Sequence, residues 1–216
     1  MEPCRVLVIG PRRALLDALR MRAIPFDVWQ ERPSPGSKAA SMVLTAPLWN
    51  SIEKLKETLA TSFAGERYTH VIAGTDAAVY PAAVTRRALG ARHSPITTAL
   101  RCRDKLAMKE YLAEHDIPMT DFLAEADAPS PAAVFARLGT PVVRKRRKSS
   151  GGRGLELIER IDDLLVRHDG RNILERYVDA PEVSVESFIQ QGEIRFANIT
   201  RYLEKRHVNF VPAAFA

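Results

Sequence analysis

Along the N-terminal part of the chain, apolar residues come in two alternating kinds of run. The short continuous ones, in "CRVLVIG", "FDVWQ" and "THVIAG", have the length and β-branched content of buried strands. The stretches between them carry helical spacing. Leu15, Leu16 and Leu19 fall on one face of "RRALLDALRMR", and Ile52, Leu55, Leu59 and Phe63 make the apolar face of a second helix. That helix is expected to start at Asn50 as its cap, with Glu53 three residues on to complete a capping box. A third helix follows "THVIAG" and runs to Gly90, a suitable residue just past a helix C-terminus. Repeated strand–helix units of this kind predict a parallel sheet with helices on its faces.

The pattern lapses from Ala91 to Thr98, so a domain boundary is expected there. Beyond it a helix runs from Asp104, as N-cap, to about His115. "SPAAVFARLG" predicts a short helix with Ser130 as cap, Pro131 in the first position and Gly139 as stop. "PVVRK" and "LELI" are expected strands, followed by a helix from about Ile161 to His168 and the strand "NILERYV". "VSVESFI" and "IRFANITRY" flank Gln190-Gln191-Gly192-Glu193 and predict an antiparallel hairpin. The fold class is α/β, with three expected segments at 1–95, 96–174 and 175–216.

Composition narrows the functional classes. The 216 residues are 46% hydrophobic, enough to bury a core. Met1-Glu2 lacks the basic start of a secretion signal, and no run approaches the roughly 20 apolar residues of a membrane span. Cys4 and Cys102 lie far apart with no CxxC spacing, which argues against a disulfide framework or a zinc site. A cytoplasmic protein that binds no membrane is the expectation.

Charge changes the picture at one place. The net charge is +6, and "RKRRKSSGGRG" alone holds Arg144, Lys145, Arg146, Arg147, Lys148 and Arg153 with no acid, so the remainder of the chain is neutral. Proteins that track a nucleic-acid backbone spread basic residues over a surface. Concentration in one segment favours a local anion site. The segment is neither a Walker A motif nor a GxGxxG turn, and Gly10-Pro11-Arg12 departs from the latter at its second glycine. It reads as strand, Lys145, Ser149-Ser150-Gly151-Gly152-Arg153-Gly154, strand. Glycines let backbone N–H groups approach an anion closely. A solvated basic loop tip is the alternative for the segment taken alone.

Other segments bear on that choice. "RDKLAMKEYLAEHDIP" puts Lys105 and Lys109 four residues apart on one helical face. In "LERYVDAPEVSVESF", Glu175 to Val178 form a strand-to-linker step with backbone suited to an adenine edge, and Glu182 follows at a distance suited to ribose hydroxyls. Five scattered histidines show no ligand spacing, and no GxSxG marks a serine nucleophile.

Taken together, "THVIAGTDAAVYPAAVTRRALG", "CRDKLAMKEYLAEHDIPMT", "TPVVRKRRKSSGGRGLELI" and "ILERYVDAPEVSVESFI" resemble, in order and spacing, the ATP-grasp superfamily in its carboxylate–amine ligase and biotin-carboxylase-like branch. The resemblance implies a Rossmann-like pre-ATP-grasp domain at 1–95, the first ATP-grasp subdomain with its glycine-rich phosphate loop at 96–174, and the hinge and start of the second subdomain at 175–216. It implies ATP as cofactor, with Lys105 and Lys145 on the α/β phosphates. Ser149, Ser150, Gly151, Gly152, Arg153 and Gly154 would fold over the β/γ phosphates. Glu175, Tyr177 and Val178 would hold the adenine, and Glu182 the ribose. Asp76 stands where the family often has a glutamate facing the acceptor pocket, and His207 follows the hairpin as a candidate for lining it. The family's Mg2+ ligands, including a Glu-x-Asn pair absent after the hinge here, are expected beyond residue 216.

The implied function is the ATP-binding portion of an ADP-forming ligase that activates a carboxylate as an acylphosphate for attack by an amine. A bicarbonate-using carboxylase is a variant of it. Two other classes stand beside it: a nucleotide-binding module without turnover, completed by a partner chain or as a homo-oligomer, and a nucleic-acid binder using the basic run.

Overall fold

The computed structural model describes residues 4–48, 51–91 and 95–202. It divides into two compact units, 1–119 and 120–216. In the first, strands β1 (Val6–Ile9), β2 (Phe26–Gln30), β3 (Val43–Thr45) and β4 (His70–Ala73) form a parallel sheet in the order β3-β2-β1-β4. Alternation along β1 separates two cores. Val6 and Val8 join Leu16 and Leu19 of helix α1 (Arg13–Met21), while Leu7 and Ile9 join Leu55 and Leu59 of α2 (Ile52–Ser62) and Ala82 of α3 (Val79–Ala88). Both faces of the sheet are covered, which is why its strands are continuously apolar rather than alternating.

Three local features add to or differ from the expectations. The side chain that caps α2 is that of Ser51, which accepts from the Lys54 N–H and donates to Glu53 at 2.6 Å; Asn50 lies outside the described residues. Strand β3 adds a short, partly exposed edge that its sequence does not advertise. The supposed lapse between Ala91 and Thr98 is followed at once by a helix, α4 (Ile96–Arg103), which packs between α3 and α5 (Lys105–Ala113). This packing belongs to the first compact unit, which extends to Met119.

In the second unit, β5 (Phe122–Ala124), β6 (Val142–Arg146), β7 (Glu156–Ile158) and β8 (Asn172–Arg176) form an antiparallel sheet in the order β5-β8-β6-β7. Its core face joins Val142, Ile158 and Leu174 to Val134, Phe135 and Leu138 of α6 (Pro131–Leu138). Helix α6 starts as expected, with the Ser130 hydroxyl accepting from the Ala133 N–H and Pro131 in the first turn, and ends at Gly139. The helix expected from Ile161 to His168 is instead a single 3-10 turn, Ile161–Asp163, followed by irregular chain. There Leu164 enters the core, while the Leu165 carbonyl and the Arg167 N–H are taken by buried side chains described below. Tertiary partners replace helical hydrogen bonds. Finally, β9 (Val183–Gln190) and β10 (Glu193–Arg201) pair as an antiparallel hairpin around Gln191 and Gly192, both at positive φ as a two-residue I′ turn requires.

Candidate functional site

Strand β6 is where the sequence concentrates its charge, and period-two alternation divides that charge between two faces. Arg144 shares its face with Val142 and is buried; Lys145 shares the opposite face with Val143 and is half-exposed. On β8, Leu174 lines the core while Glu175 lies on the Lys145 face. The register pairs Val143 with Glu175 and Lys145 with Ile173, so Lys145 and Glu175 are diagonal neighbours. The Lys145 ammonium donates to Glu175 Oε2 at 2.7 Å, and the glutamate is buried. Burial holds that carboxylate in a low-dielectric setting where its attraction for an ammonium is strong.

From β6 the chain enters the loop that returns as β7. Gly151, Gly152 and Gly154 sit at φ 60, 68 and 74°. Within the loop the Ser149 hydroxyl donates to the Arg146 carbonyl at 3.2 Å, Arg153 donates to the Ser150 hydroxyl at 2.9 Å, and the Leu155 N–H donates to the Gly152 carbonyl at 3.1 Å. Two observations bear on Gly154. Its φ disfavours a side chain, and a Cβ there would stand 2.8 Å from Arg146 Cδ, because the Arg146 stem crosses the neck of the loop at this point. Residues 151–155 are exposed, so the tip of the loop is open to a ligand.

At the other end of the site, Glu175 has register partners on both sides, Phe122 of β5 and Val143 of β6. Its carboxylate, rather than its enclosed backbone, is therefore the part it can offer a ligand. Free backbone begins after Arg176, at Tyr177 and at Val178, which is 57% exposed. Glu182 is exposed too, and its carbonyl accepts from the Tyr202 N–H, fixing the foot of the hairpin. The structure thus brings Lys145 and Glu175 into contact, with the glycine loop continuing from one strand and Tyr177–Val178 from the other.

The remaining candidates lie in the first unit or outside the described residues. Lys105 opens α5 directly after Asp104, whose side chain accepts from the Leu106 N–H; Lys109, one turn on, is buried. Asp76 is exposed just past β4. This is the point where the order of the parallel strands reverses, since β1 leads to β2 on one side while β4 lies on the other. Ligands of open α/β sheets bind at such switch points, outside the carboxyl ends of the strands. The turns after β1 and β4 touch here: a Cβ on Gly74 would lie 2.4 Å from the Gly10 carbonyl oxygen. His207 lies outside the described residues. Among the described residues, no three His, Cys, Asp or Glu side chains gather as a metal site, and no helix is long and apolar enough to cross a membrane.

One network escaped the sequence reading. Arg144 belongs to the core face of β6, not to the loop. Glu125, fully buried in the turn after β5, accepts from Arg144 Nε at 3.0 Å, from Arg144 Nη2 at 2.6 Å and from the Arg167 N–H at 3.1 Å. Arg144 also donates to the Leu165 carbonyl at 2.6 Å and to Glu156 on β7 at 2.5 Å. Burial alone would lower the Arg144 pKa, but the bonds and charges of Glu125 and Glu156 outweigh it and raise it. The available signal was the alternation in "PVVRK": an arginine in register with a buried valine demands an acid on the same face.

No family model matches the chain. Over 147 residues it is 26% identical to an L-arginine-specific L-amino acid ligase of Bacillus subtilis, a match covering 62% of this chain and 36% of that enzyme. Among solved structures it resembles an L-amino acid ligase from Bacillus licheniformis, at a TM-score of 0.74 and 18% identity, over 99% of this chain and 55% of that one. It also resembles N5-carboxyaminoimidazole synthetase from Staphylococcus aureus complexed with ADP, at a TM-score of 0.73 and 15% identity, over 94% of this chain and 55% of that one. The chain therefore spans about half the length of these structures and about a third of the curated relative. These likenesses show that the chain has the fold of part of these ligases and resembles them over that part.

Proposed function

We propose that this chain is the ATP-binding portion of an ADP-forming carboxylate–amine ligase, acting in the cytoplasm, whose carboxylate substrate is an amino acid. The observation that carries the nucleotide reading is the Lys145–Glu175 contact at the root of the glycine loop. An ammonium and a carboxylate side by side offer a donor and an acceptor to a purine edge, and the ammonium alone offers a donor to a phosphate. The loop N–H groups offer further donors to phosphate oxygens. Two of the similar proteins act on amino acids by name, and a third was solved with ADP, which supports the choice of substrate and nucleotide.

In this reading Tyr177 and Val178 present backbone to the adenine, Glu182 meets the ribose, and Ser149–Gly154 close over the β/γ phosphates. The substrate carboxylate oxygen attacks the γ-phosphorus, ADP leaves, and the amine displaces phosphate from the acylphosphate. Catalysis of this kind is chiefly positioning and charge neutralisation. Mg2+ on the nucleotide phosphates would supply further neutralisation, and no step is assigned to a metal held by the described residues. Asp76, at the switch point of the parallel sheet, is the proposed contact for the acceptor substrate.

The deciding experiment is calorimetric titration of ATP and of a short single-stranded oligonucleotide into the wild-type chain and into Lys145→Ala, at low and high salt. Loss of a charge-assisted hydrogen bond, about 1.5–3 kcal/mol, should weaken ATP binding roughly 10- to 100-fold in the variant. Salt-sensitive oligonucleotide binding that ignores Lys145, with no ATP signal, would replace this reading by the nucleic-acid one.

A further inference from the structure

We propose that Arg144 and Glu156 form a clamp across the neck of the glycine loop and act as positioning residues for the phosphates of the nucleotide. The inference rests on the nucleotide reading above. The two residues are register partners, Arg144 on the strand that enters the loop and Glu156 on the strand that leaves it. Their side chains meet at 2.5 Å. Immediately outward come Lys145 on one strand and Leu155 on the other, and then the Arg146 stem crossing Gly154. The clamp therefore sits at the last register pair of β6 and β7, where the loop leaves the ladder between them.

A buried arginine needs an acid, but Glu125 alone already meets that need with two hydrogen bonds. Glu156 is different in kind. Its side chain is 42% exposed, it costs little to leave in water, and it accepts from both Arg144 and Arg167. What it adds is a tie between the two stems of the loop. The tie also fixes Lys145, because Arg144 and Lys145 are successive residues on one strand. A slip of one residue would carry the ammonium about 3.3 Å along the strand and onto the wrong face. On the buried side, Glu125 and the Leu165 carbonyl anchor the same guanidinium to the turn after β5 and to the irregular segment before β8. The strand bearing the lysine is thus held from behind by three separate pieces of chain.

The test uses the whole chain with Glu156→Gln, which keeps the shape and removes the charge. ADP and adenosine affinities are measured together with amide hydrogen exchange over 149–155 in the nucleotide-free protein. The expected result is a loss of about tenfold in ADP affinity, the size of one charge-assisted bond, with adenosine unchanged and faster exchange confined to the loop. A residue that merely stabilised the fold would move both ligands together. Unchanged ADP affinity, or equal losses for ADP and adenosine, would overturn the clamp. A wild-type chain that binds neither ligand would overturn the nucleotide reading itself, and the clamp with it. As a second variant, Arg144→Leu with Glu125→Leu replaces the buried pair by apolar groups, an exchange that folds often tolerate. If folded, it should show the same ADP-specific loss, and wild-type ADP binding by it would also overturn the proposal. If it does not fold, Glu156→Gln decides alone.

Discussion

Arg144 and Lys145 are neighbours in sequence with the same charge and opposite fates. A strand turns successive side chains to opposite faces, so one cation meets Glu125 in the core and the other meets Glu175 beside the loop. Glu125→Leu takes the fully buried acid from Arg144 and leaves it Glu156 and the Leu165 carbonyl, so the loss in urea unfolding should lie near the lower end of the about 3–5 kcal/mol for breaking a buried pair. The neighbouring Glu156 predicts a pH dependence. Burial raises its pKa, but the bonds and charges of Arg144 and Arg167 outweigh that and hold it below the ordinary glutamate value. A carboxylate depressed in the folded state contributes stability that is full above its unfolded pKa and is lost as pH falls through the folded one. The stability difference between wild type and Glu156→Gln should therefore be constant near neutrality and shrink on acidification below the usual carboxylate range. A difference that grew toward acid would contradict this assignment.

The elements that formed as expected are those whose signals are local. Ser130, Pro131 and Gly139 bracket α6, and removing the cap with Ser130→Ala should cost about 1 kcal/mol. The hairpin around Gln191-Gly192 likewise follows from its turn residues. Elements that depend on distant partners were misread. The segment after Ile161 has helical apolar spacing, yet its backbone is engaged by Arg144 and Glu125 from elsewhere in the fold. The short strands β3 and β5 exist because β2 and β8 offer them edges. The closest backbone approach is at the switch point, where Gly74→Ala would force a Cβ to 2.4 Å from the Gly10 carbonyl. We expect a loss of about 1–3 kcal/mol from such overpacking, read as a lowered thermal midpoint.

At the scale of the whole molecule, the net charge is unchanged by pairing, but fewer of the segment's cations are unpaired than its sequence suggests. Of the basic residues in the segment, Arg144 is neutralised in the core and Lys145 is paired with Glu175. On the proposed nucleotide reading, salt dependence separates the two kinds of anion binding. Binding to a phosphate chain loses affinity with a log–log salt slope near −0.9 for each phosphate neutralised; ATP affinity should fall much less than oligonucleotide binding of that kind would. The strands β1, β2, β4, β6 and β8, the helix caps and the glycine-rich turn between β6 and β7 were legible because periodicity, caps and turn glycines are properties of contiguous chain. The sequence by itself thus determined the α/β class, the likeness to the ligases and the place of the glycine-rich loop. Only the tertiary structure decided that Glu175 faces Lys145, that Glu125 and Glu156 hold Arg144, and that the chain after Ile161 is not a helix. Those facts depend on register between strands far apart in sequence, and register is set by packing across the sheet rather than by any single segment.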